Sequence, residues 1–478
     1  MPQPSEAPPV NQIPLCVDLD GTLIKSDLLW EHFLRLLKRN PFQLFPILAW
    51  WMRGRAFLKR QLARRVAVDP ATLPYHQPFL AWLREQKAAG RKLVLATAAD
   101  RLMAMPVAGH LGLFDEVLAS DGKTNLRSAH KLKLLVEKFG EGGFDYAGNS
   151  LADLAVWRGA REAVVVNAAW PLVRRMRRRA NPVRFFARDA SLSTALWHNL
   201  CPRQWVKNAI IFVPAIADHK LRETSVLLCD YGAFVIFCLC SSGVCLVNDL
   251  LNLDADRRRP AGKTRPLASG DLPLPIGLAL GPALVLGGLA LAAQLSWHFA
   301  MVTAAYVLLA TGCSGWIGAR AWLEVLILAV LYMTRLLAGR DAADIPCSSW
   351  LLLFSTFIFL SLALADKYTK PDSALQPAPS QPAARGLGLV ELWGVGCGVL
   401  AALVLALYVN SAQVFVLYAH PKLLLLICPL LLWWFGRVWW LAHHGRLREE
   451  PLVFALTDAA SYGVGALTLA IMWLATGH

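Results

Sequence analysis

The hydrophobic and polar positions divide this chain into two regions with different patterns. In the first region, short apolar runs of strand length alternate with segments of helical periodicity. The runs predict strands at 13–19, 92–97, 116–119, 144–147 and 163–167. Strands that alternate with helices in this way form a parallel sheet. We therefore expect an α/β domain with a Rossmann-like parallel sheet and helices on both of its faces.

The second region begins near residue 205, and most of its apolar runs have the length of membrane-spanning helices. A helix needs about 20 apolar residues to cross a bilayer. The candidate segments are 205–217, 225–247, 274–294, 297–315, 320–338, 348–365, 388–409, 413–441 and 451–475. We therefore expect an all-α polytopic membrane domain with nine transmembrane helices.

The basic residues predict how the membrane region is oriented. Lys and Arg are concentrated in the loops after the second, sixth and eighth apolar segments, whereas the loop after the fifth is acidic. Cytoplasmic loops carry an excess of Lys and Arg. We therefore expect a protein integral to the inner (plasma) membrane, with its N-terminal domain in the cytoplasm and its C-terminus on the outer face.

The junctions between these patterns predict the domain boundaries. The N-terminal residues are Pro-rich and polar, which indicates a disordered leader. The apolar run at 41–52 is too short to cross a bilayer, so it is read as the core of a helical cap. The expected parts are a leader at 1–12, a soluble domain at 13–167 with its cap at about 27–90, a basic linker at the membrane surface at 168–203, and a membrane domain at 204–478.

Composition narrows the possible partners. With 56% hydrophobic residues among 478, the chain is too apolar for an ordinary soluble protein. A net charge of +15 would suit nucleic acid, but the basic residues flank apolar segments, which favours an anionic lipid surface. We expect the lipid bilayer and no nucleic acid as a partner. The oligomeric state is left open, a homo-oligomer included. The ten cysteines form no metal-type pairs and are expected to be reduced core residues.

Oxygen-bearing side chains stand at the ends of predicted strands in the first region. Asp18 and Asp20 end or follow the first strand, Thr97 ends the second, and Asp153 follows the fourth. Ligands of open parallel sheets bind at the carboxyl ends of the strands. Two carboxylates this close suit phosphoryl transfer, in which one attacks phosphorus and the other is the general acid and base. Mg²⁺ and a lysine would neutralise the phosphoryl oxygens.

These motifs resemble the haloacid dehalogenase superfamily of phosphatases. The resemblance rests on DLDGT at 18–22, Thr97 after LVLA, Lys131 before LKLLVEKFG, and GNSLAD at 148–153. It implies that Asp18 is the nucleophile and Asp20 the general acid and base. It also implies that Thr97 and Lys131 hold the phosphate, that Asp153 is an acid on the metal side, and that a cap follows the first motif.

The Mg²⁺ site implied for this region comprises Asp18, Asp20, Asn149 and Asp153. The superfamily often has Asp at the position of Asn149, so this site carries one negative charge fewer. An amide oxygen can still coordinate Mg²⁺. The alternative is a retained scaffold that performs no turnover.

A second cluster of oxygen-bearing side chains lies at the end of the second apolar segment. At about 100° per residue, one face of a continuous helix would carry Asn248, Asp249, Asn252 and Asp256. Carboxylate and amide oxygens suit Mg²⁺ that bridges to substrate phosphates. Asp254 would point away from this face. The alternative is a helix end that only solvates the membrane surface.

The membrane region resembles the UbiA superfamily of intramembrane prenyltransferases over about 200–478. The match is strongest in QWVKN at 204–208, in 248–256, and in KTRPLASG at 263–270. In the family motif NDxxDxxxD, Asn252 replaces the middle Asp. The resemblance implies that Asp249 and Asp256 are catalytic and, with Asn248 and Asn252, hold Mg²⁺. The donor diphosphate would be bound by Lys207, Asn208, Lys263 and Arg265.

A second polar motif indicates the subfamily. Aromatic prenyltransferases of this superfamily carry aspartates spaced DxxxD after the sixth helix, whereas this chain has DKYTK at 366–370. Basic and tyrosyl residues suit a phosphate better than a second Mg²⁺. The pattern is closer to the branch that transfers phosphoribosyl from phosphoribosyl diphosphate to a polyprenyl phosphate. Arg335, Lys367 and Tyr368 would contact the ribose phosphate or the acceptor phosphate.

The two regions together predict one reaction sequence. Transfer of phosphoribosyl to a lipid phosphate leaves a 5-phosphate on the sugar, and a phosphatase domain on the same membrane face would remove it. One alternative is prenyl transfer from a polyprenyl diphosphate to an aromatic or other small acceptor. The other is a catalytically silent membrane scaffold, in which Asn149 and Asn252 mark two inactive sites.

Overall fold

The computed structural model describes residues 13–122, 124–178, 183–260, 262–316, 321–369, 384–412, 414–447 and 449–476. The chain divides into two compact units. The first comprises Met1–Asn199 together with Asp249–Ala279, and the second comprises Leu200–Asn248 and Leu280–His478. The first unit therefore combines the N-terminal region with a segment from the middle of the chain. The expected leader at 1–12 lies outside the described residues.

The first unit contains a sheet of parallel strands. Its strands are β1 (Leu15–Val17), β2 (Leu93–Asp100), β3 (Glu116–Ser120), β4 (Asp145–Gly148), β5 (Ala163–Val166) and β6 (Val183–Phe186). Their order is β3-β2-β1-β4-β5-β6. Successive residues face opposite sides, so Leu15 and Val17 join one hydrophobic core while Cys16 joins the other. The expected α/β fold with a parallel sheet is confirmed, including the five predicted strands.

Helices connect these strands, and one helix follows the last of them. They are α1 (Leu28–Arg39), α2 (Leu44–Met52), α3 (Arg55–Arg65), α4 (Gln77–Ala88), α5 (Arg101–Leu111), α6 (Ala129–Phe139), α7 (Leu154–Gly159), α8 (Trp170–Arg177) and α9 (Leu192–Asn199), with short 3-10 helices at Pro41–Gln43, Pro70–Thr72 and Leu151–Asp153. Helix α1 begins after Asp27, whose side chain accepts a hydrogen bond from the Leu29 backbone N–H. Helices α1 to α4 lie between β1 and β2, where the cap is expected.

The sixth strand was not predicted. Residues 183–186 fall in the segment expected to be a basic linker at the membrane surface, but they form β6, which pairs with β5. Phe186 packs its ring 5.2 Å from that of Phe79 and 5.4 Å from that of Trp82. The sequence prediction missed this strand because its basic residues, interleaved with aromatic ones, also suit a lipid surface. Arg179, from the same stretch, lies outside the described residues.

The middle segment of the first unit contains a helix break. The long helix α12 (Thr224–Leu251) ends, and Asn252 precedes the short helix α13 (Leu253–Arg258). A 3-10 helix at Gly262–Thr264, helix α14 (Pro266–Ser269) and the start of α15 (Leu274–Leu295) follow. A Cβ atom at Gly262 would collide with the Asp256 backbone. The close approach of these two backbone segments therefore requires glycine.

The second unit is helical. It contains α10 (Pro202–Trp205), a 3-10 helix at Val206–Phe212, α11 (Val213–Ala217), a 3-10 helix at Lys220–Arg222, most of α12 and α15, α16 (Trp297–Trp316), α17 (Ala321–Ala343), α18 (Ser349–Thr369), α19 (Ala384–Val409), α20 (Val414–Leu417), a 3-10 helix at Pro421–Leu426, α21 (Ile427–His443), α22 (Pro451–Ala455) and α23 (Ala459–Ala475).

Six helices among the described residues are long and apolar enough to cross a membrane. They are Thr224–Leu251, Leu274–Leu295, Trp322–Ala343, Ser349–Thr369, Gly388–Val409 and Pro421–His443. Two shorter apolar helices are Trp297–Gly312 and Ala459–Ala475. The expected count of nine spans is therefore not confirmed. The first expected span, 205–217, is divided by a 3-10 helix, and Pro214 lies in the first turn of α11.

One expectation about the cysteines is wrong. Cys201 and Cys245 form a disulfide within the second unit, although all ten cysteines were expected to be reduced. The two residues are 44 positions apart, so their spacing gave no signal. Free thiols in the described parts of the chain are those of Cys16, Cys229, Cys238, Cys240, Cys347, Cys397 and Cys428.

Candidate active sites

The first candidate site lies at the carboxyl edge of the sheet. In the register of the sheet, Val17 of β1 pairs with Leu95 of β2 and with Ala147 of β4. Two residues beyond each of these positions stand Leu19, Thr97 and Asn149. The parallel strands therefore bring the segments that carry three of the four predicted motifs to one level, next to Asp18 and Asp20.

A chain of buried hydrogen bonds links the fourth motif to the first. Lys131 of α6 donates from Nζ to Asp18 Oδ1 at 2.9 Å and to the Tyr146 hydroxyl at 2.7 Å. The Tyr146 hydroxyl in turn donates to Asp153 Oδ1 at 2.9 Å. All four side chains are buried. The Lys131 ammonium is therefore fixed beside the carboxylate that is expected to be the nucleophile.

Asp153 also shapes the loop that carries Asn149. Its Oδ2 accepts hydrogen bonds from the backbone N–H groups of Asn149 at 3.2 Å and Ser150 at 2.9 Å, and from the Ser150 hydroxyl at 2.8 Å. A Cβ atom at Gly21 would collide with the Asn149 side-chain amide, so this amide lies directly against the loop that follows Asp20. Both oxygens of Asp153 thus hold the protein chain, and its role at the metal stays a prediction.

The environment raises the pKa of the two motif carboxylates. Burial raises the pKa of Asp18 to about 6, against the opposing charge of Lys131. Burial, with the neighbouring charge of Asp27, raises the pKa of Asp20 well above its ordinary value. Asp20 Oδ1 accepts a hydrogen bond from the Leu28 backbone N–H at 2.9 Å. A raised pKa makes a carboxyl group a better candidate for a general acid.

Two residues near Asp20 were not anticipated from the sequence. Asp27 caps α1, and its negative charge acts on Asp20. Lys59 of α3 has an opposing positive charge there and donates from Nζ to the Ala98 carbonyl at 2.6 Å. Thr97 is fully buried in β2, and its hydroxyl oxygen accepts the Ala99 backbone N–H at 3.0 Å. The helical cap thus supplies a cation to the edge where the motifs meet, a contribution with no local sequence signal.

The second candidate site lies in the middle segment of the first unit. Arg265 Nη1 contacts Asp249 Oδ1 and lies 3.1 Å from Asp256 Oδ2. The second oxygen of Asp249 accepts a hydrogen bond from Asn199 Nδ2 at 3.0 Å. Both carboxylates are buried. Two acids separated by a helix break therefore converge on one positively charged nitrogen.

The predicted geometry of this motif needs a correction. Four of its residues were expected on one face of a continuous helix, but the helix breaks at Asn252. Asn252 precedes α13, and its side chain makes no capping hydrogen bond. Asn248 lies in the second unit, where its Nδ2 donates to the Ala310 carbonyl at 3.3 Å. Its buried Oδ1 has no hydrogen-bond partner within the described parts of the chain.

Helix α1 contacts this motif segment inside the first unit. Glu31 forms a two-point ion pair with Arg257, with distances of 2.7 Å to Nη2 and 3.0 Å to Nη1. Arg257 Nε also donates to the Ala268 carbonyl at 3.1 Å. One turn along α1, Arg35 pairs with Asp254. Burial opposes ionisation of Glu31, but the guanidinium groups of Arg257 and Arg35 lower its pKa to about 2.

The second unit contains a buried polar cluster of its own. Arg335 Nε donates to Asn208 Oδ1 at 3.0 Å, and its guanidinium lies 4.9 Å from the centre of the Tyr306 ring. Lys207 pairs with Glu450. The Tyr332 hydroxyl is buried and has no partner among the residues that the structure describes. Ionisable side chains buried within a membrane domain are costly, so this cluster is a second-unit candidate for a functional site.

The remaining predicted residues lie elsewhere or have protein partners. Lys367 of α18 pairs with Glu324, and the Tyr368 hydroxyl lies 3.4 Å from His443 Nδ1. Lys263 is exposed on its 3-10 helix. Lys370, the last residue of the second motif, lies outside the described residues. Lys367 and Tyr368 thus have protein partners in the structure, and their substrate contacts stay predictions.

An apolar cavity of about 570 Å³ lies in the second unit and was not predicted. Its walls come mainly from α11, α18, α19, α21, α22 and α23, and they include Phe359, Leu362 and Trp434. The ring of Phe359 lies 5.7 Å from that of Tyr332. The cavity wall therefore contacts the tyrosine that stands in the core beside the buried polar cluster.

The oxygen-bearing side chains at each candidate site determine how Mg²⁺ would be held. Within the described ranges, no three Asp, Glu, His or Cys side chains gather at one point. The first candidate site offers the carboxylates of Asp18 and Asp20, with Asn149 from the fourth motif. The second offers those of Asp249 and Asp256, with Asn252 between them in the sequence. Such a set fits Mg²⁺, because this ion commonly takes one or two carboxylates and completes its shell with water and phosphate oxygens.

Comparison with known proteins matches both regions of the chain. Residues 215–474 match the UbiA prenyltransferase family. Residues 15–163 match the haloacid dehalogenase-like hydrolases. Both resemblances drawn from the motifs are therefore confirmed.

Three relatives match different shares of the chain. The chain is 34% identical to an uncharacterized protein, y4nM, of Sinorhizobium fredii over 96% of this chain and 90% of that protein. It is 31% identical to nodulation protein NoeC of Azorhizobium caulinodans over 54% of this chain and 86% of that protein. It is 32% identical to decaprenyl-phosphate phosphoribosyltransferase of Mycolicibacterium smegmatis over 35% of this chain, which spans 54% of that enzyme.

Proposed function

Because the chain belongs to the UbiA prenyltransferase family and carries a haloacid dehalogenase-like hydrolase domain, we propose that it makes a ribosylated lipid in two steps. The transferase moves phosphoribosyl from phosphoribosyl diphosphate to a polyprenyl phosphate. The hydrolase domain then removes the 5-phosphate of the sugar. The similarity to decaprenyl-phosphate phosphoribosyltransferases supports this choice of substrates.

The observation that carries the transferase proposal is the convergence of two buried carboxylates on one nitrogen of Arg265. Asp249 and Asp256 would hold Mg²⁺, which would neutralise charge on the donor diphosphate when bound. Arg265, with Lys263 next to it in sequence, would then bind phosphate oxygens of the leaving diphosphate. Both families generally depend on Mg²⁺, and the donor set suits that ion.

The second unit supports a lipid phosphate as the acceptor. A polyprenyl tail is apolar and flexible, and a cavity of about 570 Å³ lined almost entirely by apolar side chains suits part of it. The Tyr332 hydroxyl and the Arg335 guanidinium are the polar groups that would meet the phosphate end. The acceptor oxygen would attack the anomeric carbon of the ribose as the bond to the diphosphate breaks.

The first site supports removal of the 5-phosphate. Asp18 would attack phosphorus and form an aspartyl phosphate, while Asp20 would protonate the departing sugar oxygen. Lys131 already donates to Asp18 and would neutralise charge on the phosphoryl group. Asp20 would then take a proton from the water that hydrolyses the aspartyl phosphate. Because one chain carries both sites, the effective concentration of the first product at the second site would be raised.

We also propose that the N-terminal domain faces the cytoplasm, as the distribution of basic loops indicates. Phosphoribosyl diphosphate is a charged, water-soluble donor, so a cytoplasmic motif segment would have direct access to it. Labelling of single introduced cysteines with a membrane-impermeant reagent, on intact cells and on inverted vesicles, tests this topology.

The experiment that tests the function uses purified full-length protein with Mg²⁺, polyprenyl phosphate and phosphoribosyl diphosphate labelled in the ribose. We expect label in the lipid fraction, and a lipid product without phosphate on the sugar. The Asp18→Asn variant should instead accumulate a lipid that is heavier by one phosphate group. Absence of label from the lipid fraction would refute phosphoribosyl transfer.

The family match also favours a second candidate, prenyl transfer from a polyprenyl diphosphate to a small acceptor. The carboxylates at the donor site would serve both reactions, so the acceptor distinguishes them. Consumption of polyprenyl diphosphate with prenylation of an aromatic acceptor, and no labelled ribose in lipid, would establish this alternative. A parent protein as inactive as its Asp249→Ala and Asp18→Ala variants in both assays would instead indicate a scaffold.

A further inference from the structure

Helix α2 and the 3-10 helix before it present an apolar surface to solvent. The exposed fractions are 76% for Phe42, 71% for Phe45, 51% for Leu48, 58% for Trp51 and 84% for Met52. These residues lie within twelve consecutive positions, at 41–52, and we call them the α2 face. A contiguous exposed patch of aromatic and aliphatic side chains marks an interaction surface.

The helix is held to the domain by its opposite side. Ile47 is buried in the domain core, and Trp50 packs against the same core. The guanidinium of Arg65 lies 4.2 Å from the centre of the Trp50 ring. Because residues three apart share a helix face, Ile47 and Trp50 anchor α2 while Phe45, Leu48 and Met52 point away. The α2 face is thus a fixed feature of the domain.

The charge around this face identifies its partner. Between His32 and Val68 the chain carries nine basic residues and no acidic ones: Arg35, Lys38, Arg39, Arg53, Arg55, Lys59, Arg60, Arg64 and Arg65. Of these, Lys38 and Arg39 precede the α2 face, Arg53 and Arg55 follow it, and all four are exposed. Aromatic side chains flanked by exposed basic residues are typical of helices that lie in the interface of an anionic bilayer.

We propose that the α2 face docks on the anionic surface of the bilayer that anchors this chain. Phe42, Phe45 and Trp51 would enter the headgroup region, while the flanking arginines pair with lipid phosphates. The hydrolase domain would then be held at the membrane surface, where a lipid-linked substrate is found. This inference does not depend on which group the transferase moves.

Photocrosslinking of the full-length protein in vesicles tests the docking. A benzophenone amino acid would replace Phe45 or Met52, and the matched control would replace Glu137 on α6, whose side chain is 61% exposed. In vesicles that contain phosphatidylglycerol, we expect at least about ten times more lipid adduct at Phe45 and Met52 than at Glu137. Adducts should fall several-fold in phosphatidylcholine vesicles, and also in an Arg53→Glu, Arg55→Glu double variant.

Three results would count against this inference. Lipid adducts at Phe45 no more abundant than at Glu137 would show that the face does not meet the bilayer. Crosslinks to another part of the protein would show that a protein surface covers it. Equal lipid adducts with and without phosphatidylglycerol would refute the anionic preference. The probes sit at exposed positions, so the fold does not depend on the replaced side chains.

A different set of contacts carries a second inference, which rests on the proposed transferase function. Helix α13 has only six residues and cannot be stable by itself. Helix α1 fixes its position, because Glu31 pairs with Arg257 and Arg35 pairs with Asp254. Lys38 also contacts the carbonyl of Leu251, the last residue of α12. Arg257 directly follows Asp256 in the chain. We infer that Glu31 is a positioning residue for the transferase carboxylate Asp256.

The Glu31→Gln variant tests this role, and Glu137→Gln, which alters an exposed ion pair with Lys133, is the control. We expect Glu31→Gln to raise the KM for phosphoribosyl diphosphate and the half-saturating Mg²⁺ concentration at least several-fold, with a smaller change in kcat. Hydrolysis of a soluble phosphate ester should be unchanged. The charge-swapped pair Glu31→Arg, Arg257→Glu should restore part of the donor affinity.

Hydrogen exchange separates this inference from the proposed function. We expect faster exchange in the peptide that covers 252–262 of the Glu31→Gln variant, whether or not a transferase substrate has been identified. Unchanged exchange and an unchanged donor KM would overturn the positioning role. Lack of ribose transfer by the parent protein, together with faster exchange in the variant, would refute the proposed reaction and leave the structural coupling in place.

Discussion

The two candidate sites hold their positive charge in different ways. At the hydrolase site, the Lys131 side chain is 5% exposed and is fixed by Asp18 and the Tyr146 hydroxyl. At the transferase site, the Arg265 side chain is 48% exposed while it bridges Asp249 and Asp256. A buried ion pair is costly to break, whereas an exposed one contributes little to stability. The comparison shows one cation that is enclosed by its partners and one that is half open to solvent, so we expect only the second to exchange for a substrate-bound ion.

The largest expected effect is loss of the hydrolase nucleophile. Asp18→Asn should lower phosphatase turnover by more than about 10³-fold, because the amide cannot form the aspartyl phosphate. Release of inorganic phosphate from a soluble phosphate ester measures it. Transferase activity should remain, since Asp249 and Asp256 are untouched. Equal loss of both activities would show that the two sites do not work separately.

The next effect concerns the transferase carboxylates. Asp249→Asn should lower ribose transfer by about 100-fold, because it removes a charge that converges with Asp256 on one cation. Incorporation of labelled ribose into lipid measures it, and phosphatase activity is the internal control. A variant that keeps full transfer at limiting Mg²⁺ would contradict the assigned role.

The cations themselves give the sharpest contrast. Lys131→Met should lower the melting temperature of the protein by several degrees, because Asp18 and Tyr146 lose a buried partner. Arg265→Ala should lower the melting temperature less than Lys131→Met does, because the Arg265 side chain is half exposed, while raising the donor KM. Thermal unfolding in detergent, followed by intrinsic fluorescence, compares the two. Equal destabilisation would remove the distinction between an enclosed and an exchangeable cation.

The smallest effect is a dependence of stability on pH. Glu31 has a folded-state pKa of about 2, below its ordinary value of 4.5. A lowered pKa adds stability at pH values above 4.5, and this contribution is lost as the pH falls from 4.5 toward 2. The melting temperature of the parent should therefore fall more steeply below pH 4.5 than that of Glu31→Gln. Parallel curves would show that this ion pair does not form in solution.

The sequence predicted the sheet and the first site well because both depend on local signals. Each of the five expected strands is a short apolar run, and the motif residues follow them directly. Parallel register then brings Asp18, Thr97 and Asn149 to one edge without further information. Two charged neighbours of Asp20, Asp27 and Lys59, were missed. In the case of Lys59, only the packing of the cap brings the side chain close.

The second site was harder to predict because its geometry depends on contacts between distant residues. A periodicity of 100° per residue assumes a continuous helix, and the break at Asn252 invalidates that assumption. The pairing of Glu31 with Arg257 spans 226 positions, which no local pattern reveals. The β6 strand and the disulfide were missed for the same reason, since each needs a distant partner. The count of nine spans is not confirmed, and in the first of them a 3-10 helix interrupts the apolar segment.

The composition of the first unit limits how this chain can be dissected. Expressing the chain as two fragments divided before residue 200 would give a first fragment that ends with α9 and a second that begins just before α10. The first fragment would lack residues 249–279, which belong to the same compact unit as residues 1–199. Glu31 would lose Arg257, one of its two guanidinium partners, and would keep only Arg35 to balance its buried carboxylate. The hydrolase portion is therefore no detachable module, and any transplant to another membrane enzyme must carry the matching loop.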